Sequence, residues 1–547
     1  VLDERSQQKA STTTIWLASL LVAASALHFM GTNVADPDLW GHLRYGQMIL
    51  DGHGLPREDV FSYTAPGAPF YDHEWLSDLV FAALFNVGGS AALIAFKWVA
   101  GLVMLLAMLD AMRSTVARVT PDARPHPLVV AGVLIVALAV ISPGATFRPQ
   151  LFTMSFLAVE MALLLRAERR WDAGARLPLE IAVLPPLFLV WANVHGGFLV
   201  GIGLFGVYCA VRIGDALLAL VRRSTDTAQA LSTRQATTLG AVGLLALAAP
   251  LVNPYGLHLY TYLAETLDMH GEISEWEPVS LLTTELWRFK LAVLASAFAA
   301  VVAWRAQRPV GRSPLLWMIP FLAVAALLAF RHQRHTVLYG IAVAPLLLVA
   351  AEQLRREALA RWPVLAPRRA VFVATACGAL AIATFQLHGF ASMMMRDGFQ
   401  IRYGRLDYPV DAVEFLRTND IRGNIAMPFE WGAFAIAKLA PESKVFIDGR
   451  FEAVYPQRVI DDYFAFMHGT DGWERLLEDY PTDVVVVQRW RNIHPRLFAH
   501  PDFVYVYSDP AALVFVRRSE DDPALMRLAS LSAADRVDFT RHPTVFP

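Results

Sequence analysis

Apolar stretches recur along the first 390 residues, each close to the roughly 20 residues that a helix needs to cross a ~30 Å hydrocarbon core. They fall near 13–30, 90–111, 127–143, 151–166, 179–196, 197–220, 237–253, 288–304, 314–330, 336–353 and 370–388. This predicts a polytopic α-helical membrane protein with about 11 transmembrane helices. Only 18% of residues are charged, against about 25% in soluble proteins, which excludes a single soluble domain. The segment 75–88 is apolar but short, and reads as an interfacial helix or part of a re-entrant pair. The first span lacks an n-region and a small-residue cleavage site, so it is expected to be an anchor. A net charge of −2 gives no basic field for nucleic acid. Cys209 and Cys377 sit in apolar runs and offer neither a disulfide framework nor a thiolate metal site.

Arginine and lysine favour one set of alternate loops, with about 18 against about five on the other set. The rich side is expected to be cytoplasmic. That places the N-terminus inside and residues after ~390 outside, as in a multi-pass protein of the bacterial inner membrane. The division expected is a membrane part over 1–390, with a first external loop and interfacial helices over 31–89. An extracytoplasmic part over 391–547 follows. Beyond ~405 the composition turns soluble. Strand patterns at 424–427, 444–447, 483–488, 503–507 and 513–517 alternate with helical patterns at 410–418, 432–439, 457–467 and 472–479, which argues an α/β domain.

The outward loops collect the chemistry. They hold Asp36, Asp38, His42, Arg44, Asp72, His73, Glu74, Arg148, His195, Glu275, Glu277, Arg331, His332, Arg334 and His335. Ionisable groups near membrane depth are costly and usually line a cavity or pathway. Mixed carboxylates, imidazoles and guanidiniums suit an anionic ligand and acid/base work. Each also has a plain alternative: headgroup solvation for the arginines, a helix N-cap for Asp38, turn chemistry for Asp36, a backbone-satisfied imidazole for His42 or His195. Asp448-Gly449 reads first as a turn and Trp431 as packing. No GxGxxG, Gly-rich phosphate loop or HExxH is present.

Four outward motifs occur in a telling order. The first is Asp36-Pro37-Asp38-Leu39-Trp40-Gly41-His42-Leu43-Arg44. Ser142-Pro143-Gly144 with Arg148 is the second, and Ile273-Ser274-Glu275-Trp276-Glu277-Pro278 the third. Arg331 to His335, before a span containing Pro345, is the fourth. Together they resemble the external loops of the oligosaccharyltransferase catalytic subunit and, more broadly, the GT-C superfamily of lipid-donor glycosyltransferases. Bacterial GT-C-like proteins with D-P-D-x-W-x-H-L and F-x-D-G-R are also similar. Trp431-Gly432 and Asp448 are similar to that subunit's W-W-D-Y-G…D region. Two departures stand out. Arg148-Pro149-Gln150-Leu151 lacks the acidic pair of the second loop, and W-W-D is reduced to Glu430-Trp431-Gly432. N-glycosylation is therefore not carried over.

The resemblance implies a sugar donor linked to polyprenyl phosphate or diphosphate, and an acceptor that is a glycan, lipid or protein. It implies Asp38, Glu275 and Asp36 as catalytic carboxylates. His42, Arg44, Arg148, His195, Arg331, Arg334 and His335 are the implied donor-phosphate contacts. Trp40, Asn193, Glu277, Trp431 and Asp448 are expected at the acceptor cavity. A divalent cation, Mg or Mn, would draw on Asp38, Asp72 and Glu74. The bilayer and possible membrane-protein partners complete the expected surroundings, with no nucleic acid. A non-catalytic GT-C-like scaffold is the second reading and a transporter the third.

Overall fold

The computed structural model describes residues 4–119, 124–222, 230–266, 274–307, 317–362, 369–404, 406–518 and 546. Among them, eight helices are long and apolar enough to cross a membrane. They are Thr12–Met30, Trp75–Val119, Pro127–Gly144, Gln150–Asp172, Phe198–Val221, Trp287–Arg305, Gln333–Arg361 and Val371–Asp397. Three of the eleven expected spans fall short. Leu179–Val194 and Met318–Arg331 are apolar but shorter, and Thr233–Ala248 is a 16-residue helix. The causes are local. Helical turns at Leu179–Ala182 and Leu184–Val194 are separated at Val183, next to Pro185 and Pro186. His332, extended at φ −141° and ψ 120°, stops the second. Pro250 follows closely on the third. The expected start of the 314–330 span lies outside the described residues.

Two compact units divide the chain. The first takes the described residues of Val1–Thr32, Ala95–Gly256 and Glu272–Gly398, and the second those of Asn33–Ile94, Leu257–Gly271 and Phe399–Pro547. This cut differs from the linear division at 390, because the loop after the first helix groups with the C-terminal residues.

The first unit is a helix assembly packed through small residues. Ala18, Leu21, Ala24, Ala131, Ala379 and Ala383 form one seam between the helices Glu4–Met30, Pro127–Ile141 and Arg369–Asp397. Small side chains let apolar helices approach where no hydrophobic driving force separates them from lipid. Ser25 Oγ donates to Gln386 Oε1 at 2.8 Å along that seam. Pro127 opens its helix at a position where no N–H is needed, and a Ser232–Gln235 capping box opens another. Glu168, almost fully buried, is gripped by Arg118 and by Arg212 at 3.1 Å.

The second unit is built on a mixed sheet in the order β2-β1-β3-β5-β4, with β1 Gly423–Ala426, β2 Ser443–Val445, β3 Val484–Gln488, β4 Phe503–Ser508 and β5 Ala512–Arg517. β1 runs parallel to β2 and β3, while β3–β5 and β5–β4 are antiparallel. The run Val484–Val487 is buried throughout, as a central strand covered on both faces requires. Helices Val410–Thr418, Phe429–Leu439 and Gln457–His468 intervene. All five strands and these three helices lie where their residue patterns put them. The first loop extends the sheet: Val445 N–H donates to Phe61 O at 3.0 Å, and Tyr63 N–H donates to Val445 O at 3.2 Å. The helical run from Trp75 breaks at Gly88 and Gly89. Gly89 takes φ 57° and ψ −145°, values open essentially to glycine alone.

Candidate functional site

The second unit seats the first motif. Asp38 begins the helix Leu39–Leu50, yet its carboxylate makes no capping hydrogen bond. The N-cap alternative thus loses its physical basis. Asp36 is buried and its Oδ1 accepts from the Asp38 N–H at 3.1 Å, the turn chemistry that its place before Pro37 suggests. The half-buried Asp38 side chain lies against a second motif. A Cβ built on Gly449 would stand 3.0 Å from Asp38 Oδ1. Gly432 packs on the same turn, where a Cβ would meet the Asp448 Cβ and the Ile447 carbonyl, each at 2.7 Å. Close approach of backbone requires glycine at 432, whereas at 449 a Cβ would press only on the tip of the Asp38 side chain. The motifs at 36–44, 431–432 and 448–450 therefore meet in space.

Asp448 itself is not a cavity residue. It is 2% exposed. Its Oδ1 accepts from the Arg450 N–H and Nε, both at 2.9 Å, and its Oδ2 from Arg450 Nη2 at 2.6 Å and Tyr455 OH at 3.0 Å. Arg450 Nη2 also reaches Asp59 Oδ1 at 2.5 Å. Asp59 in turn accepts from the N–H groups of Phe61 and Ser62. Burial opposes the Arg450 charge, but the Asp448 carboxylate and the Tyr45 and Tyr455 phenols together outweigh it and hold the guanidinium protonated. Burial also pushes the Tyr455 phenol up. This staple fixes the first loop to the sheet. Trp40 and Trp431 are packing residues as well. Trp40 is 2% exposed among Tyr403, Tyr408, Phe434 and Phe546, and Trp431 Nε1 donates to Asp407 O at 2.7 Å. The expectation of an acceptor cavity at Trp40, Trp431 and Asp448 is corrected on these grounds.

His42 turns to a carboxylate that the sequence did not flag. Its Nδ1 lies 2.7 Å from Asp78 Oδ1, within hydrogen-bond distance, and Asp78 is fully buried. Asp72, 4% exposed, has Oδ2 without a hydrogen-bond partner. Burial, with Asp78 and Glu74 adding to it, pushes its carboxyl well above the usual range. Glu74 Oε1 lies 3.8 Å from His73 Nε2. Among the described residues no three His, Cys, Asp or Glu side chains are grouped to share an ion. Asp38, Asp72 and Glu74 therefore do not fit as the ligand set of a protein-held cation, a correction to that expectation. Arg44 leans toward Phe61, 5.8 Å from the ring centroid.

The first unit gathers the remaining motifs. Arg148 Nη1 donates to both oxygens of Glu275, at 2.7 and 2.6 Å. Arg334 lies 4.5 Å over the Trp276 ring, and His332 Nδ1 is 2.8 Å from the Trp276 carbonyl oxygen. Gln333 N–H donates to Glu277 O at 3.1 Å, and Val279 N–H to Phe330 O at 2.8 Å. The segment around 275–279 is thus laced to the 330–335 turn, with Arg331 exposed beside it. Glu277 contributes its backbone carbonyl here. His335 Nδ1 faces the Leu328 carbonyl at 3.3 Å, the plain helix-end arrangement.

The Trp191–Gly197 run is a wall. Asn193 Nδ2 donates to Leu189 O and Val252 O, at 2.8 and 3.0 Å, tying two helix ends together. His195 Nδ1 accepts from Gly197 N–H at 2.8 Å and lies 2.8 Å from Thr153 Oγ1. Nδ1 is therefore the unprotonated nitrogen, and the neutral ring carries its proton on Nε2. Sequence reasoning missed Asp59, Asp78, Thr153 and the role of Arg450. Only Arg450 had a signal, as the last residue of Asp448-Gly449-Arg450.

No protein-family model matches the sequence, and no curated relative does. Solved structures do. The oligosaccharyltransferase AglB from Archaeoglobus fulgidus, in complex with an inhibitory peptide and a dolichol-phosphate, superposes with a TM-score of 0.54 at 12% identity, over 93% of this chain and 75% of that one. ArnT from Cupriavidus metallidurans, in the apo state, superposes with a TM-score of 0.51 at 13% identity, over 96% of this chain and 100% of that one. The Archaeoglobus enzyme has also been crystallised with Zn and sulfate (TM-score 0.51, 13% identity, 92% of this chain and 74% of that one). The chain shares the fold of these structures: a multi-pass membrane protein with a C-terminal sheet domain.

Proposed function

We propose that the chain is an integral membrane glycosyltransferase that moves a sugar from a polyprenyl-phosphate- or diphosphate-linked donor to an acceptor on the extracytoplasmic face. The GT-C fold supports the class of enzyme. The dolichol-phosphate and peptide held by AglB support the kind of donor and the presence of a separate acceptor. The observation that carries the reading is the seat of Asp38. Its carboxylate starts a helix without capping it and rests on Gly449 of a motif about 410 residues away.

In this reading an acceptor hydroxyl attacks the anomeric carbon and Asp38 takes its proton. The bond from that carbon to the phosphate oxygen breaks, and the phosphate leaves with the electron pair. In the first unit, Arg148, Arg331 and Arg334 are assigned to the donor phosphate, where a planar guanidinium offsets charge on the oxygens. Glu275 holds Arg148 until phosphate replaces it. The bias of Arg and Lys between alternate loops supports the proposed orientation, with the N-terminus in the cytoplasm of a bacterial cell and the sheet domain in the periplasm. Purified protein supplied with a panel of polyprenyl-linked sugars and candidate acceptors tests this by mass spectrometry of the lipid. Loss of sugar from one donor class is expected, and no loss from any donor, with intact folding, contradicts it.

One observation favours a second reading, a non-catalytic scaffold. Arg148 and Glu275, two of the assigned groups, satisfy each other. A scaffold keeps its cellular function in Asp38→Asn and Glu275→Gln; an enzyme does not.

A further inference from the structure

The second unit contains a cavity of about 200 Å³ beside the Leu39–Leu50 helix. Arg44, His53 and Lys444 line it from three separate segments, with Ser443 and an apolar wall that includes Met48 and Phe61. No carboxylate is among its lining residues. Arg44 Nε is buried without a hydrogen-bond partner. A buried donor left unmade is costly, and a bound anion or water is the usual way such a group is satisfied. Backbone adds to the donors. Val445 N–H turns outward from β2 to Phe61 O, so by strand alternation the N–H of Ser443 faces the same edge.

We infer that this cavity binds a phosphate-class oxyanion. A guanidinium fork suits its oxygens, and the ammonium of Lys444 adds a point charge. The volume is below the roughly 300 Å³ at which pockets for small organic molecules begin. It accommodates a phosphate group with a short organic flank along Met48 and Phe61. Six residues separate Asp38 from Arg44, which turns their side chains about 120° apart around the helix. The site is therefore separate from the seat of Asp38 and stands whether or not the chain transfers sugar.

Equilibrium dialysis of the purified full chain with radiolabelled inorganic phosphate, at ionic strength fixed with sodium chloride, tests it. Saturable binding is expected, weakened about tenfold each by Lys444→Gln and His53→Gln. Both positions reach solvent, so these variants keep the wild-type melting temperature. Arg44→Lys keeps the charge but loses the fork, and also weakens binding. Equal binding by wild type and every variant, or uptake that follows ionic strength alone, overturns the inference. The same assay in nanodiscs assigns the source. Label displaced by phosphatidylglycerol makes a lipid headgroup the natural ligand, and label retained makes it a soluble phosphate; either result upholds the site.

Discussion

Arg450 Nη2 stands 2.5 Å from Asp59 Oδ1, although 391 positions separate the two residues and their side chains are 8% and 0% exposed. With Asp448 on its other side, the guanidinium is enclosed by two carboxylates and stacked near Phe70 and Tyr455. Removing one member of such a buried set leaves charge without compensation. Arg450→Met is expected to cost about 3–5 kcal/mol, and Arg450→Lys less, because the ammonium keeps the charge but not the fork. Thermal unfolding in detergent reads the order wild type, lysine, methionine.

The two tight glycines separate folding from chemistry. At Gly432 an added Cβ meets the Ile447 carbonyl at 2.7 Å, so Gly432→Ala must move backbone. At Gly449 it meets the tip of the Asp38 side chain at 3.0 Å, which can swing away. Gly432→Ala is expected to lower expression and melting temperature. Gly449→Ala should stay folded and lose sugar transfer on the order of 10–100-fold, since an ångström-scale misplacement of a reacting group costs about that much.

Asp72 gives a pH dependence whose sign is fixed. Its carboxyl is held above the ordinary value by burial and by Asp78 and Glu74, so the folded state binds its proton more tightly than the unfolded chain. The stability it contributes is full below about pH 4 and is lost as pH rises through the folded value. Asp72→Asn should flatten that fall, gaining melting temperature over wild type at pH 8 and gaining less, or nothing, at pH 5. An equal change at both pH values refutes the account of Asp72.

Much of this was legible in the residues. Short buried apolar runs marked the five strands, because the sheet is buried along most of their length. The recurring apolar runs marked the membrane helices, and the order of the motifs pointed to the fold class. Partnerships were not legible. Nothing in Arg57-Glu58-Asp59 signals that Asp59 waits for Arg450, and Asp78 looks like one acid in an apolar helix until His42 is seen 2.7 Å away. Trp40 and Asp448 were misread for the same reason: a motif residue that builds the site's frame has the same spacing as one that faces the substrate. Helix length failed where prolines interrupt apolar runs, at Pro185-Pro186 and Pro250.

Arg148 and Glu275 test whether a close pair is held for stability or for use. Glu275 is 44% exposed and Arg148 20%. A pair so open to solvent stabilises by about 1 kcal/mol at most. Arg148→Gln should melt within a few degrees of wild type and lose at least about tenfold in donor turnover. A large drop in melting temperature with turnover intact would make the pair structural.

Single-turnover consumption of a polyprenyl-linked sugar by wild type and Asp38→Asn, each verified as folded, bears most directly on the central claim. Asparagine preserves shape and removes the proton acceptor. The account predicts that wild type releases the lipid phosphate while Asp38→Asn is slower by about 100-fold or more. Equal rates in the two proteins would contradict it and take Asp38 out of the reaction.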